Sequence, residues 1–319
     1  MRRPTHRSTI VPDAPSLEDS AGSALLSPLI EEHLERLASV LRQVLAEGDP
    51  DSVHDLRVVT RRLQQVLTAL SPRPRAKKID RLRRTLRRIR RSLGSWRNYD
   101  VTLETVAKRR RASRSSRKRA AWDVVRDYLD KRRMEETIRA RRRILDEHPE
   151  TLADRLRAAL SDRLEKTSTR DLHQTLLVRV EETWLAWEQS FQRAEQERAV
   201  PAVHALRIAT KRLRYRAELA RSLDEPALDR VLDWAKGVQQ VLGDWHDRQV
   251  LHQLIAEALA RPEVLLGQLE VVQTALGELR RERRQAPLQD AELPAPSWRE
   301  EGRQALEHWL GQGAPAGVA

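Results

Sequence analysis

One segment of this chain occurs twice, and the repeat constrains the fold more than any other feature. Val53–Leu63 and Val203–Leu213 share a pattern that begins Val-His-x-Leu-Arg and ends in Arg-Leu, at an offset of about 150 residues. A second shared block, Leu-Gly-x-Trp, ends at Trp96 in the first half and at Trp245 in the second. An internal repeat of this length predicts that each half contains the same elements in the same order.

The apolar residues around the repeat recur at helical spacing. In the third predicted helix of each half they alternate at intervals of three and four: Ile79, Leu82, Leu86, Ile89 and Leu93 align with Leu228, Val231, Ala235, Val238 and Leu242. This stripe is typical of helices that pack nearly antiparallel in a bundle. With 34% charged residues and only 11 glycines, the composition also favours amphipathic helices. The sequence predicts an all-α fold of two helical bundles related by a pseudo-twofold axis.

Glycines and prolines that interrupt the helical period mark the expected boundaries of the helices and segments. Gly94 and Gly243 are read as breaks alongside the prolines, which gives roughly ten to twelve helices of ordinary length. The expected segments are a disordered N-terminal extension, two helical repeats and a flexible tail: 1–25, 26–168, 169–311 and 312–319.

The positive charge is concentrated in one part of the chain. Residues 51–150 contain 31 Lys and Arg against 13 Asp and Glu, whereas the formal charge of the whole chain is +13. A local field of this kind attracts polyanions such as nucleic acid, anionic lipid or polyphosphate.

The chain has no cysteine, which excludes thiolate catalysis and disulfides. It shows no apolar run long enough to cross a bilayer, so we expect a cytoplasmic protein without membrane contact.

The repeated motif places a row of cations on one helix face. At about 100° per residue, the row spans an arc of roughly 60° opposite the apolar side chains. The two rows are His54, Arg57 and Arg61 in the first half, and His204, Arg207 and Lys211 in the second. Neither row contains the alternating glutamates of a salt-bridged surface helix. We therefore interpret the rows as a binding surface.

The third predicted helix adds cations unequally to the two halves. In the first half, four arginines share one side: Arg84, Arg87, Arg88 and Arg91. The second half keeps only Lys236, opposite Arg87, so we expect the first half to bind more tightly. Guanidinium groups offer planar donor pairs to phosphate oxygens, and a linear phosphate chain could run along such rows.

The two His-x-x-Arg-x-x-x-Lys/Arg-Arg blocks, each followed by Leu-Gly, resemble the signature of the conserved histidine α-helical domain (CHAD) family. The resemblance covers about residues 27–311 and implies two four-helix bundles that bind inorganic polyphosphate. By position, it implies these binding residues: His54, Arg57, Arg61, Arg62, Arg87, His204, Arg207, Lys211, Arg212, Arg214 and Lys236. The Arg-Asp pair expected after Leu-Gly is only partly kept, as Arg97-Asn98 and as His246-Asp247.

Nothing in the sequence indicates catalysis, a cofactor or a metal site. His54-Asp55 resembles a metal-dependent phosphohydrolase dyad, but its counterpart is His204-Ala205. Phosphate loops, nucleophile elbows and zinc-binding helices are also missing from the sequence. We expect non-enzymatic binding of inorganic polyphosphate, with association with polyphosphate granules as one cellular setting. Two alternatives stay open: a nucleic-acid-binding protein, and an accessory to an enzyme that processes polyphosphate or triphosphates.

Two further groups of residues have competing interpretations. The basic run 108–119 lies at a predicted helix junction and is either a flexible loop or an auxiliary clamp on the polyanion. Trp96 and Trp245 are predicted to plug the junction after the third helix. Trp184 and Trp187 are predicted to be bundle core because they are spaced at i,i+3.

Overall fold

The computed structural model describes residues 17–71, 76–223, 226–260 and 294–313, together with positions 273, 274, 277 and 281. Within these residues all regular structure is helical, which confirms the all-α prediction. The described α-helices are α1 (Leu17–Ala46), α2 (Pro50–Ala69), α3 (Lys77–Ala112), α4 (Ser116–Leu145), α5 (Pro149–Leu164), α6 (Thr169–Glu197), α7 (Val200–Arg221), α8 (Asp229–Leu259) and α9 (Ser297–Gly313). A short 3-10 turn, Pro226–Leu228, precedes α8.

The two copies of the motif lie on α2 and α7. Each helix has a proline in its first turn. Backbone N–H groups in the first turn have no acceptor within the helix, so proline costs no hydrogen bond there. The matching threonines Thr60 and Thr210 are fully buried. Their hydroxyls donate to the carbonyls of Leu56 and Leu206, at 2.7 and 2.9 Å. The two motifs therefore have the same local structure.

Helices α2 and α7 lie at the centre of the packing. α2 contacts α1 and α3, α7 contacts α6 and α8, and α2 and α7 also contact each other. A single apolar core extends across both halves of the chain and includes Leu63 and Leu213. A smaller apolar cluster, which includes Val106 and Leu251, joins α3 and α4 to α8. The core therefore holds the two motif helices against each other.

The helices that follow the motifs are longer than predicted. Gly94 lies inside α3 and Gly243 lies inside α8, so the predicted breaks at these glycines were wrong. One glycine lowers the stability of a helix by only about 1 kcal/mol relative to alanine. The packing of a long helix outweighs this cost. Trp96 and Trp245 are buried within continuous helices rather than at junctions.

Other boundaries agree more closely with the sequence. The basic run 108–119 spans the junction between α3 and α4, as predicted. Trp184 and Trp187 are buried in the core, with ring centroids 5.1 Å apart. None of the described helices has the length and apolar content needed to cross a membrane.

The ends of the predicted segments are covered only in part. α1 begins at Leu17, inside the segment predicted to be a disordered extension, while residues 1–16 lie outside the described residues. α9 ends at Gly313, inside the predicted tail, and residues 314–319 lie outside. Most of the segment 261–293 also lies outside the described residues. The division into two four-helix bundles therefore stays a prediction.

The turn between α1 and α2 is fixed to α3 and α4. Gly48 has a φ of 67°, a conformation that favours glycine. A Cβ atom there would lie 2.6 Å from Cη2 of Trp96, whose side chain is fully buried. Arg141 of α4 donates to the carbonyls of Val44 and Ala46, at 3.1 and 3.2 Å. The turn thus positions the start of α2, where the first motif lies.

Replacing Gly48 with alanine should lower the free energy of unfolding by about 2 kcal/mol, because it adds backbone strain and a steric overlap with Trp96. Gly237→Ala is the matched control. Gly237 lies in α8, where an added Cβ would meet no neighbouring described atom within 4 Å, so alanine there should raise stability by about 0.5–1 kcal/mol. Urea unfolding of both variants measures the difference, and equal effects would contradict the packing at Gly48.

Candidate functional site

The contact between α2 and α7 creates a surface groove of about 470 Å³. We call it the cationic groove. Eight arginine and lysine side chains from α2, α3 and α7 line it: Arg61, Arg83, Arg87, Arg90, Arg207, Lys211, Arg212 and Arg216. The other lining side chains are His204, Gln64, Gln65, Thr68, Ile208 and Tyr215. Among the described residues that line the groove, none is acidic.

A second cavity of about 230 Å³ joins the groove. We call it the adjoining cavity. It shares four lining residues with the groove, namely Arg61, Arg207, Lys211 and Tyr215. Its further polar lining comes from His54, Arg57, Arg97, Asn98, His246 and Asp247. The two rows predicted from the sequence therefore face one continuous space.

Hydrogen bonds across α2 and α3 hold two of the guanidinium groups in place. Arg57 donates through Nη1 to the carbonyl of Arg90 at 3.0 Å. Arg90 in turn donates through Nη1 to Oε1 of Gln64 at 2.6 Å. Each arginine keeps further donors available, because a guanidinium has five N–H groups. The arrangement fixes the positions of the charges without neutralising them.

A tyrosine stands between the two motif helices. The guanidinium carbon of Arg61 lies 4.9 Å from the centroid of the Tyr215 ring, and that of Arg214 lies 4.6 Å from it. Tyr215 is buried. Cation–π attraction of this kind contributes about 0.5–2 kcal/mol, so the ring partly takes the place of a counter-ion at the contact between α2 and α7.

The cations at the centre of the groove and of the adjoining cavity form no salt bridges with the residues that the structure describes. These five cations are Arg57, Arg61, Arg90, Arg207 and Lys211. Among the described residues, Asp247 is the acidic side chain that lines the adjoining cavity, and its negative charge opposes the lowering of the pKa of Lys211. Like charges held together in a partly buried space repel each other strongly. The ligand-free groove is therefore electrostatically unfavourable.

This environment shifts the protonation of the cations. Burial, and then the charges of Arg207, Arg61 and Arg57, lower the pKa of Lys211 to about 7. Burial and neighbouring guanidinium groups also lower the pKa of Arg57 to about 10. The pKa of Arg90 falls to about 10 for the same reasons. At neutral pH the arginines stay charged, whereas Lys211 is close to half protonated.

The three histidines that line the groove or the adjoining cavity are neutral at neutral pH. Burial is the main cause of the lowered pKa of His54 and of His204, and Arg and Lys charges add to it. Burial and Arg207 lower the pKa of His246 to about 4. The rings of His204 and His246 lie 5.4 Å apart. Among the described residues, no group of three or more His, Cys, Asp or Glu side chains could hold a metal ion.

The structure brings together eight of the residues singled out from the sequence. They line the groove or the adjoining cavity: His54, Arg57, Arg61, Arg87, His204, Arg207, Lys211 and Arg212.

Three of the predicted binding residues lie on the other side of the motif helices. Arg62 and Arg214 approach the carboxylate of Glu218, at 3.7 and 3.3 Å. Lys236 pairs with Asp233 at 3.0 Å and lines, with Arg62 and Glu218, a separate cavity of about 330 Å³. These cations are compensated by acids and do not line the groove.

The predicted side of α3 also differs from the observed one. Arg84, Arg88 and Arg91 are exposed and lie outside both linings. Nη2 of Arg88 donates to Glu147 at 2.7 Å. The way α3 packs on α2 turns a different set toward the groove: Arg83, Arg87 and Arg90. The expected difference in affinity between the two halves stays a prediction.

Several lining residues were missing from the predicted set: Arg83, Arg90, Arg97, Tyr215, Arg216, His246 and Asp247. Arg97 and His246 were noted at matching positions after the Leu-Gly blocks but were not included among the predicted binding residues. Tyr215 gave no such signal, because its counterpart in the first half is Gln65. Its role depends on the contact between α2 and α7, which the sequence does not specify.

Comparison with known proteins identifies related folds. A family model described as CHAD domain matches residues 28–256. The crystal structure of the CHAD domain from the plant Ricinus communis is 21% identical, with a TM-score of 0.65, and covers 95% of this chain and 97% of that chain. PptA from Streptomyces chartreusis is 16% identical, with a TM-score of 0.51, and covers 90% of this chain and 100% of that chain. No curated protein matches the sequence.

Replacing Lys211 with methionine should stabilise the ligand-free protein by about 1 kcal/mol at pH 7, because it removes a desolvated charge beside three arginines. The pKa of Lys211 is lower in the folded chain, at about 7, than its ordinary value, so wild-type stability rises with pH above 7. The difference between variant and wild type should therefore shrink toward pH 9. Lys131→Met, at an exposed site on α4, is the control and should change stability by less than about 0.5 kcal/mol. Destabilisation by Lys211→Met in chemical unfolding would contradict the repulsion.

Proposed function

Because this chain belongs to the CHAD domain family, we propose that it binds inorganic polyphosphate in the cationic groove without transforming it. The observation that carries the proposal is the lining of the groove, where eight arginine and lysine side chains converge and the described lining residues include no acidic side chain. Such a lining is unfavourable in the empty protein and becomes favourable once an anion of high charge density occupies it.

The chemistry of the lining fits phosphate oxygens. Each guanidinium presents paired donors that match two phosphate oxygens, and hydrogen bonds between charged partners are the stronger kind. The bound anion raises the pKa of Lys211 and of the histidines, so that these groups gain protons and become cationic partners. Cations one helical turn apart on α2 and on α7 suit a ligand whose charges repeat along a line.

The groove favours a phosphate chain without bases over nucleic acid. Sequence-independent binders of single-stranded nucleic acid use exposed aromatic rings as stacking platforms. Tyr215 is the only Phe, Tyr or Trp among the described residues that line the groove, and it is buried between Arg61 and Arg214. A nucleic acid would therefore gain backbone contacts alone, whereas polyphosphate brings more charge for the same length.

The side chains present also support binding rather than reaction. Hydrolysis of a phosphoanhydride bond needs a positioned base or a metal ion that activates water. Asp247 is the only carboxylate that lines the two spaces within the described part of the chain. Its pKa is raised by burial, and the neighbouring Arg207 and Lys211 oppose that shift. We therefore assign Asp247 to balancing the charge of these cations.

Neutralising two groove cations should weaken binding strongly. In the double variant Arg61→Gln and Lys211→Gln, the affinity for long-chain polyphosphate should fall at least about 100-fold, since each lost charge-assisted hydrogen bond is worth about 1.5–3 kcal/mol. Isothermal titration calorimetry at fixed salt measures the loss. Circular dichroism checks that the helices are intact.

The control is the double variant Arg142→Gln and Arg143→Gln. It changes the net charge equally at exposed positions of α4 outside both linings, and it should cost less than about fivefold. Equal losses in the two double variants would show diffuse attraction instead of a groove. The same titration separates the alternatives: displacement of polyphosphate by single-stranded DNA at equal phosphate concentration would favour a nucleic-acid binder. Release of phosphate from the bound chain would favour an enzyme.

A further inference from the structure

Several residues of the groove have their repeat partners in another cavity, on the other side of the motif helices. This cavity has a volume of about 330 Å³, and its lining comes from α1, α2, α7 and α8. We call it the counterpart cavity. The matched positions, with the groove residue first, are Arg212 and Arg62, Arg216 and Val66, Tyr215 and Gln65, Gln65 and Tyr215, Thr68 and Glu218, Arg83 and Leu232, and Arg87 and Lys236. The two cavities thus use the same positions of the repeat but different side chains.

The counterpart cavity has fewer cations than the groove. A valine and a leucine stand at the positions where the groove has Arg216 and Arg83. The cations kept at the matched positions are Arg62 and Lys236. These replacements leave a lining that is partly apolar and carries a weaker positive charge.

Glu218 gives the counterpart cavity a negative charge at a position where the groove is neutral. Its repeat partner in the groove is Thr68. Oε1 of Glu218 lies 3.3 Å from Nη1 of Arg214, and Oε2 lies 3.7 Å from Nε of Arg62. Arg212, which matches Arg62, lines the groove and forms no salt bridge with the described residues. The same arginine position is therefore paired with an acid in one cavity and available in the other.

The carboxylate of Glu218 takes the place that an anion would take between these two guanidinium groups. The Glu218 side chain is 22% exposed, and its Oε2 atom is buried, with no hydrogen-bond partner among the described residues. Partial burial weakens solvent screening, so the carboxylate attracts the arginines and repels an incoming phosphate more strongly than an exposed acid would. Glu32 also lines the cavity, but it is exposed, and solvent screens its charge.

We propose that Glu218 determines where the phosphate chain binds: its carboxylate acts as an internal anion in the counterpart cavity and confines the ligand to the groove. The proposal rests on the proposed function of the groove. Neutralising Glu218 makes the counterpart cavity a second phosphate-binding site, because Arg62 and Arg214 lose the partner that they share. In the wild type, Arg62 contributes nothing to binding, although its position in the motif matches that of Arg212.

The test uses the full chain and tripolyphosphate as the probe, in isothermal titration calorimetry at fixed salt. Glu218→Gln keeps the size of the side chain and removes its charge. This variant should bind one more tripolyphosphate per chain than the wild type does. The matched control is Glu195→Gln, which changes the net charge equally at an exposed position of α6 outside the linings of the groove and both cavities. The control should leave the stoichiometry unchanged.

Arg62→Gln distinguishes the two cavities without relying on a change at Glu218. In the wild type it should alter the affinity for tripolyphosphate by less than about fivefold, the limit for a charge that does not contact the ligand. In the Glu218→Gln background it should abolish the additional binding. Circular dichroism checks that each variant keeps its helices.

The outcomes separate this proposal from the function of the groove. Equal stoichiometry in Glu218→Gln and the wild type, or the same gain in Glu195→Gln, refutes the role of Glu218 while the groove stands. A loss of wild-type affinity in Arg62→Gln as large as that in Arg61→Gln refutes it too, and this comparison decides the question even if Glu218→Gln does not fold. If the wild-type chain binds neither tripolyphosphate nor long-chain polyphosphate, both proposals fail.

Discussion

The contact between α2 and α7 forces several guanidinium groups and one ammonium into a partly buried space that has almost no acidic compensation. Mutual repulsion there opposes folding, so other parts of the chain must hold the motif helices together. Fully buried Leu56 and Leu63 behind the first row, and Leu206 and Leu213 behind the second, belong to one apolar core. Burial of each leucine side chain stabilises the fold by about 1.5–3 kcal/mol. This stabilisation offsets the repulsion among the groove cations, which a bound anion would remove.

The repulsion among the groove cations links the stability of the fold to ligand binding. The hydrogen bond from Arg57 to the carbonyl of Arg90 and the Arg61–Tyr215 contact keep the charges in position before a ligand arrives. A preorganised site loses little conformational entropy on binding. Compensated cations lie elsewhere, as Arg62 and Arg214 do beside Glu218. One set of cations is therefore paired with acidic side chains and stabilises the fold, whereas the cations of the groove stay available to bind an anion.

The sequence predicted the all-α fold and both rows, because matching residue types at helical spacing on two copies mark one face of each helix. It placed Arg84, Arg88 and Arg91 on the binding side of α3 and missed Arg83 and Arg90, since the rotation of α3 about its axis is set by packing on α2. Gly94 was interpreted as a break because glycine is a poor helix former, but packing along α3 outweighs that cost of about 1 kcal/mol. Tyr215 could not be found from the repeat, because it lies where the two halves meet and has no equivalent in the first half.

The most direct test of the uncompensated groove is the number of protons taken up when polyphosphate binds. In the free protein the pKa of Lys211 is about 7, so at pH 8 the amine is mostly neutral, and the bound anion should return it to the protonated form. Calorimetry in buffers of different ionisation enthalpy should show that the wild type takes up close to one proton more than Lys211→Met does. Tight binding with no proton uptake at pH 8 would contradict the account, because the ligand would then lie away from Lys211.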